Sequence, residues 1–73
     1  MSILAELRKS PWVSRVSERS RKNLVYAIIF KEPLYDEQID RICLPYSDDF
    51  QIISRNRNKS MARIIWVDIS TKT

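Results

Sequence analysis

Glycine is absent from all 73 residues, where average usage of about 7% would supply roughly five. Walker loops and dinucleotide-binding loops need glycine where the backbone closes on a phosphate, so neither is available to this chain. Turns that require positive φ fall to Asn, Asp or Lys, and Asn23, Asn56 and Asn58 are the candidates. Histidine is absent as well, and Cys43 is the single cysteine. One thiol without histidine makes neither a structural zinc site nor an intrachain disulfide, and a cysteine nucleophile would lack an imidazole base. Long apolar runs are also missing. The longest, Leu24–Phe30, has seven residues, against the roughly 18–20 that span a bilayer. These absences predict a soluble, cytoplasmic, non-enzymatic protein with no metal, cofactor or membrane partner. A glycine-free composition also fits a small, biased genome such as that of a virus or phage.

What is present suits one small folded domain covering residues 1–73, with residues 70–73 expected to fray. The hydrophobic fraction of 44% is ordinary for a globular chain. Charge is laid out in blocks. Residues 1–31 carry seven basic and two acidic side chains, residues 32–50 one and six, and residues 51–73 five and one, for a net charge of +4. Segregation of this kind makes a dipolar surface, and partner choice then depends on which block faces outward.

The coarse pattern predicts an α+β fold in the order helix, helix, strand, helix, strand, strand, ending in a C-terminal β-hairpin. Ser2 reads as the cap of a first helix through Lys9, with Ile3, Leu4 and Leu7 on one face. Ser10 and Pro11 read as the cap and first residue of a second, in which Trp12, Val13 and Val16 form an apolar stripe and Arg15, Arg19 and Lys22 another face. "NLVYAIIF" (23–30) is apolar on both faces and reads as a buried central strand closed by "KEP", with a core helix as the alternative that periodicity leaves open. Tyr35–Leu44 returns to helical period, with Asp36 and Glu37 at the start and Pro45 as the stop. A right-handed crossover through this helix would set the strands on either side of it parallel and adjacent.

"FQII" and "ARIIWVDI" read as the two hairpin strands. A turn at Asn58–Lys59 would oppose Ile53 to Ile64, Ile52 to Ile65 and Phe50 to Val67. The core face would hold Phe50, Ile52, Met61, Ile65 and Val67, leaving Gln51, Ile53, Arg55, Arg57, Ile64 and Trp66 on the other. A slip of one residue reverses every one of these assignments. An alternative, winged-helix-like parse runs a second helix from Ser47, so that Arg55, Asn56 and Lys59 lie on a recognition helix. The glycine-free turn and the β-rich "RIIWV" argue against it.

Two basic stretches carry the functional expectation. "SRNRNKSMAR" (54–63) supplies Arg55, Arg57, Lys59 and Arg63, with Trp66 beyond it as a stacking plane. "RVSERSRK" (15–22) adds Arg15, Arg19, Arg21 and Lys22, with serine hydroxyls among them that suit phosphate oxygens. If both gather on one exterior, the chain binds nucleic acid, DNA or RNA. Basic side chains that merely solubilise a hairpin tip give the bland alternative. A rival of another class is a small inhibitor or adaptor that docks on an acidic protein partner through Trp12, Tyr46 or Trp66. A homodimer completed through an edge strand is compatible with either. Asp36 and Asp40 lie one helical turn apart, but without histidine they read as solvating carboxylates rather than as a metal site. Cys43, on an apolar helix face, reads as a small hydrophobe.

Overall fold

A computed structural model describes residues 3–20, 22 and 24–69. The chain follows the order α1 (Ile3–Arg8), β1 (Val13–Ser20), β2 (Val25–Tyr35), α2 (Asp36–Cys43), a 3-10 turn (Leu44–Tyr46), β3 (Gln51–Asn58) and β4 (Met61–Asp68). The predicted α+β class and the C-terminal hairpin are present. Ser2, Arg21, Asn23 and the expected fraying of residues 70–73 lie outside the described residues.

One predicted helix is a strand. "VSRVSERS" forms β1, antiparallel to β2. Its valines and serines are poor helix formers, yet Val13 and Val16 are both buried, a spacing of three that imitates a helix. The cause is a register shift between Val13 and Arg15. The extra residue of a bulge turns the chain by one side, so inward residues fall three apart instead of two. Arg15, Arg19 and Lys22 therefore do not share a helical face.

β2 is the apolar central strand that its composition predicts, with Ala27, Ile28 and Phe30 buried. It continues past "KEP" to Tyr35, but its pairing with β4 is irregular between Ile29 and Leu34. Pro33, which has no N–H for a ladder, sits in that gap. α2 matches its predicted span closely. The Tyr35 backbone N–H donates to Gln38 Oε1 at 2.9 Å, closing a capping box, and Asp36 and Glu37 occupy the favourable first turn. Ile39 and Cys43 are its buried residues.

The four strands form one sheet in the order β1-β2-β4-β3, with every neighbouring pair antiparallel. β2 and β3 point the same way, as the crossover rule requires, but β4 lies between them, so the expected adjacent parallel pair does not form. β3 runs as a strand where the winged-helix parse needs a recognition helix. Leu4 and Leu7 of α1 join Ile39 and Cys43 of α2 in one core cluster with Val13, Val16, Ile28, Phe30, Phe50, Ile65 and Val67. Fully burying such side chains stabilises by about 1.5–3 kcal/mol each. Among the described residues, no element covers the opposite face of the sheet, and no helix is long and apolar enough to cross a membrane.

Candidate nucleic-acid interface

The hairpin decides where its cations go. Its turn falls at Lys59–Ser60 rather than Asn58–Lys59, and Lys59 adopts the positive φ, 63°, that the sequence assigned to asparagine. Ile52 opposes Val67, Arg55 opposes Ile65, Asn56 opposes Ile64 and Arg57 opposes Ala62. The ladder shifts between Ile52 and Ser54 and again between Asn56 and Arg57. The extra residue at the first shift is Ile53, which is half-exposed at 51%.

Phe50, Ile65 and Val67 are buried and Ile52 packs against them, so these four are on the core side as predicted. Beyond the bulge at Ile53 the alternation inverts. Arg55 and Arg57 lie opposite the buried Ile65 and Ala62, on the same side of the sheet as α2. The expected placement of both arginines on the outer face is corrected by this one inserted residue.

On the helix side they meet the acidic block. Arg55 donates through Nη1 to Asp36 Oδ1 at 2.9 Å and through Nη2 to Asp40 Oδ1 at 2.6 Å. Arg57 Nη2 donates to Asp36 Oδ2 at 2.7 Å. Asp36 thus bridges two guanidiniums, one on each oxygen, and the Arg55 side chain is only 18% exposed. Loss of water around Asp36 raises its carboxyl pKa, but the hydrogen bonds from Arg55 and Arg57 outweigh that and hold it below the ordinary 3.8. Arg55 loses water as well, and its two carboxylate partners push its pKa up overall. The carboxylates that read as solvation hold the hairpin to α2. Their i, i+4 spacing, visible in the sequence, was the signal for a shared cation.

The open face gathers a different set of basic residues. The cross-strand register lays out three rows across β1, β2, β4 and β3. The first is Arg15, Ile29, Ile64 and Asn56; the second is Ser17, Ala27, Trp66 and Ser54; the third is Ser20, Val25, Asp68 and Gln51. Ser14, Arg15 and Arg19 from β1 and Arg63 and Ile64 from β4 line a hollow of about 440 Å³, with Ile29 of β2 among them. Arg63 is the extra residue of the second bulge. Its Nε donates to the Phe30 carbonyl at 3.2 Å, which fixes the base of the guanidinium. Among the described residues, no carboxylate pairs with Arg15, Arg19 or Arg63. Glu18 accepts at 3.4 Å from the Tyr26 hydroxyl.

The predicted site residues therefore separate into three groups. Arg15, Arg19 and Arg63 converge, and Trp66, half-buried, shares their face as expected. Arg55 and Arg57 are paired on the other side. Lys59 and Lys22 are exposed in turns at opposite ends of the sheet, and Arg21 lies outside the described residues. Ile29, Ile64, Ser14 and Asn56 complete the hollow and its rim. Sequence reasoning set Ile64 on the outer face and Asn56 on the recognition helix of the alternative parse, but did not join them to Ser14 and Ile29, because only the strand order brings β1 and β4 to either side of β2.

The remaining chemistry is sparse. Cys43 is buried at the end of α2; loss of water raises its thiol pKa to about 11, opposed by Arg55 and reinforced by Asp40. Such a thiol stays protonated at neutral pH and is a poor nucleophile. Among the described residues there is no group of three or more His, Cys, Asp or Glu placed to hold a metal ion. A second hollow, on the helix side, is lined by Ser10, Trp12, Gln38, Arg41, Ile42 and Pro45. The chain matches no family model, no curated protein and no solved structure.

Proposed function

We propose that this chain is a non-enzymatic nucleic-acid-binding protein that grips phosphates with Arg15, Arg19 and Arg63 on its open sheet face. One observation carries the proposal: arginines from two distant segments surround one hollow, and no described carboxylate neutralises them. Guanidiniums bind phosphate oxygens through paired N–H donors, and the Ser14 hydroxyl adds a neutral one. Arg55 and Arg57 are left out of the contact set because Asp36 and Asp40 already satisfy them.

The rival, an adaptor docking on an acidic protein, has its own support. Trp12 is 44% exposed and Leu44 69% exposed on the helix side, and Arg41 lines the hollow beside Trp12. Exposed aromatics with a nearby arginine are the usual material of protein hot spots. The two are separated by titrating labelled DNA and RNA oligonucleotides at low salt and by a pull-down from nuclease-treated lysate. Oligonucleotide binding lost in Arg15→Ala and Arg63→Ala supports the proposal. A stoichiometric protein partner retained after nuclease, with no oligonucleotide binding, replaces it with the rival.

A further inference from the structure

The phosphates that such a face would grip can come from a duplex or from a single strand. Resting on the proposal above, we infer that the open face takes single-stranded nucleic acid, with one base stacked on Trp66.

The cations do not stand on a projecting element. Arg15, Arg19 and Arg63 rise from strands around an apolar floor of Ile29 and Ile64. Duplex readers insert a helix or ribbon into a groove, because the bases are hidden and the phosphates lie outermost. Among the described residues, nothing projects from this face. A duplex laid on it would desolvate Ile29, Ile64 and the indole against a charged backbone, with no base in reach. A single strand offers its phosphates and its unstacked bases to the same surface.

Trp66 is placed for that arrangement. Its cross-strand neighbours are Ala27 on β2 and Ser54 on β3, both small side chains. Ala27 has no exposed surface. The indole, half-buried between these two small groups, keeps an exposed part on the open face for a base to lie against. Rows of a sheet face are about 6.7 Å apart along the strand and neighbouring strands about 4.8 Å apart. A base on Trp66 consequently puts its own backbone one row from Ile64 and the arginine rim. Asn56, exposed and opposite Ile64, offers an amide that can meet the edge of a neighbouring base.

The test uses the full chain carrying Trp12→Phe, which leaves Trp66 as the only indole. Short oligo(dT), short oligo(U) and a duplex of equal length are titrated at low salt, reading anisotropy and Trp66 emission. Single strands are expected to bind at least about 5-fold tighter than duplex and to quench Trp66, because stacking is worth about 1–3 kcal/mol per base. Trp66→Leu, checked for folding by circular dichroism, should weaken single-strand binding between about 5-fold and about 100-fold and leave duplex binding unchanged. The quenching measurement does not depend on that variant folding. Tighter binding of oligo(U) would point to contact with the 2′-hydroxyl, and equal binding to indifference to the sugar; both support a single-strand ligand. Duplex binding as tight as single strand, with emission unaltered, overturns the inference and leaves phosphate gripping intact. No binding to any of the three probes overturns both.

Discussion

Arg55 and Arg63 sit eight positions apart in one hairpin, and their substitutions should do opposite things. Arg63 is one of three arginines around the hollow with no described carboxylate partner. Each phosphate neutralised on a single strand contributes about −0.7 to the slope of log K against log salt, so three contacts give about −2.1. Raising salt from about 50 mM to about 200 mM then weakens binding about 18-fold. Arg63→Ala removes one contact, reduces the slope to about −1.4 and the loss over the same interval to about 7-fold.

Arg55→Ala should leave the slope where it was, since its charge is already matched by Asp36 and Asp40. Its effect belongs to stability: two carboxylates one turn apart lose their shared cation, at a cost of about 1 kcal/mol. That corresponds to about 4–8 °C in Tm for a domain of this size. Fluorescence anisotropy over a salt series and thermal melts on the same proteins read both quantities. A slope unchanged by Arg63→Ala, or flattened by Arg55→Ala, refutes the assignment of these two arginines.

Three other expectations concern the fold. Because its partners hold the Asp36 carboxyl below the ordinary 3.8, its ion pairs stabilise the native state above that pH, and the contribution is lost as pH falls through the lowered value. The Tm gap between wild type and Asp36→Asn should be full at neutral pH and shrink below about pH 3.8; a gap that widens in acid is the contrary result. Cys43, buried and with its pKa raised to about 11, should resist alkylation by iodoacetamide at pH 8 until the chain is denatured, and rapid labelling of native protein would contradict its placement. Lys59 holds positive φ at the first position of a two-residue hairpin turn, where glycine is favoured. Lys59→Gly should raise Tm by a few degrees, an effect of about 0.5–1 kcal/mol, with oligonucleotide affinity unchanged; a falling Tm or weakened binding would count against it.

The parts of the fold that were legible in the sequence are those where one local pattern has one interpretation. α2 combines a capping glutamine, early acids, an apolar stripe and a terminal proline, and all four agree. "NLVYAIIF" is apolar on both sides, a pattern shared by a central strand and a core helix, and β2 takes the strand. β1 was misread because a bulge produced helix-like spacing from a strand, and single-sequence periodicity has no way to register an inserted residue. The same device misled the reading of the hairpin. Core residues before Ile53 kept their predicted side, while Arg55 and Arg57 beyond it did not. Basic residues from the two stretches do come together on one exterior, but among the described residues only Arg15, Arg19 and Arg63. That subset depends on strand order, which no local pattern encodes.

The sheet order has a consequence for how the chain comes into being. β4 is the last of the four strands to be synthesised, yet it is the interior strand that β2 and β3 both require as a neighbour. While the ribosome is still adding residues 61–68, β3 has no ladder to enter and α2 no finished surface to cover. Before β4 is made, β1 and β2 are the two strands that can pair as they do in the sheet. A nascent chain stalled before Met61 would expose the apolar side of β2 and an unpaired β3, both of them surfaces on which aggregation starts.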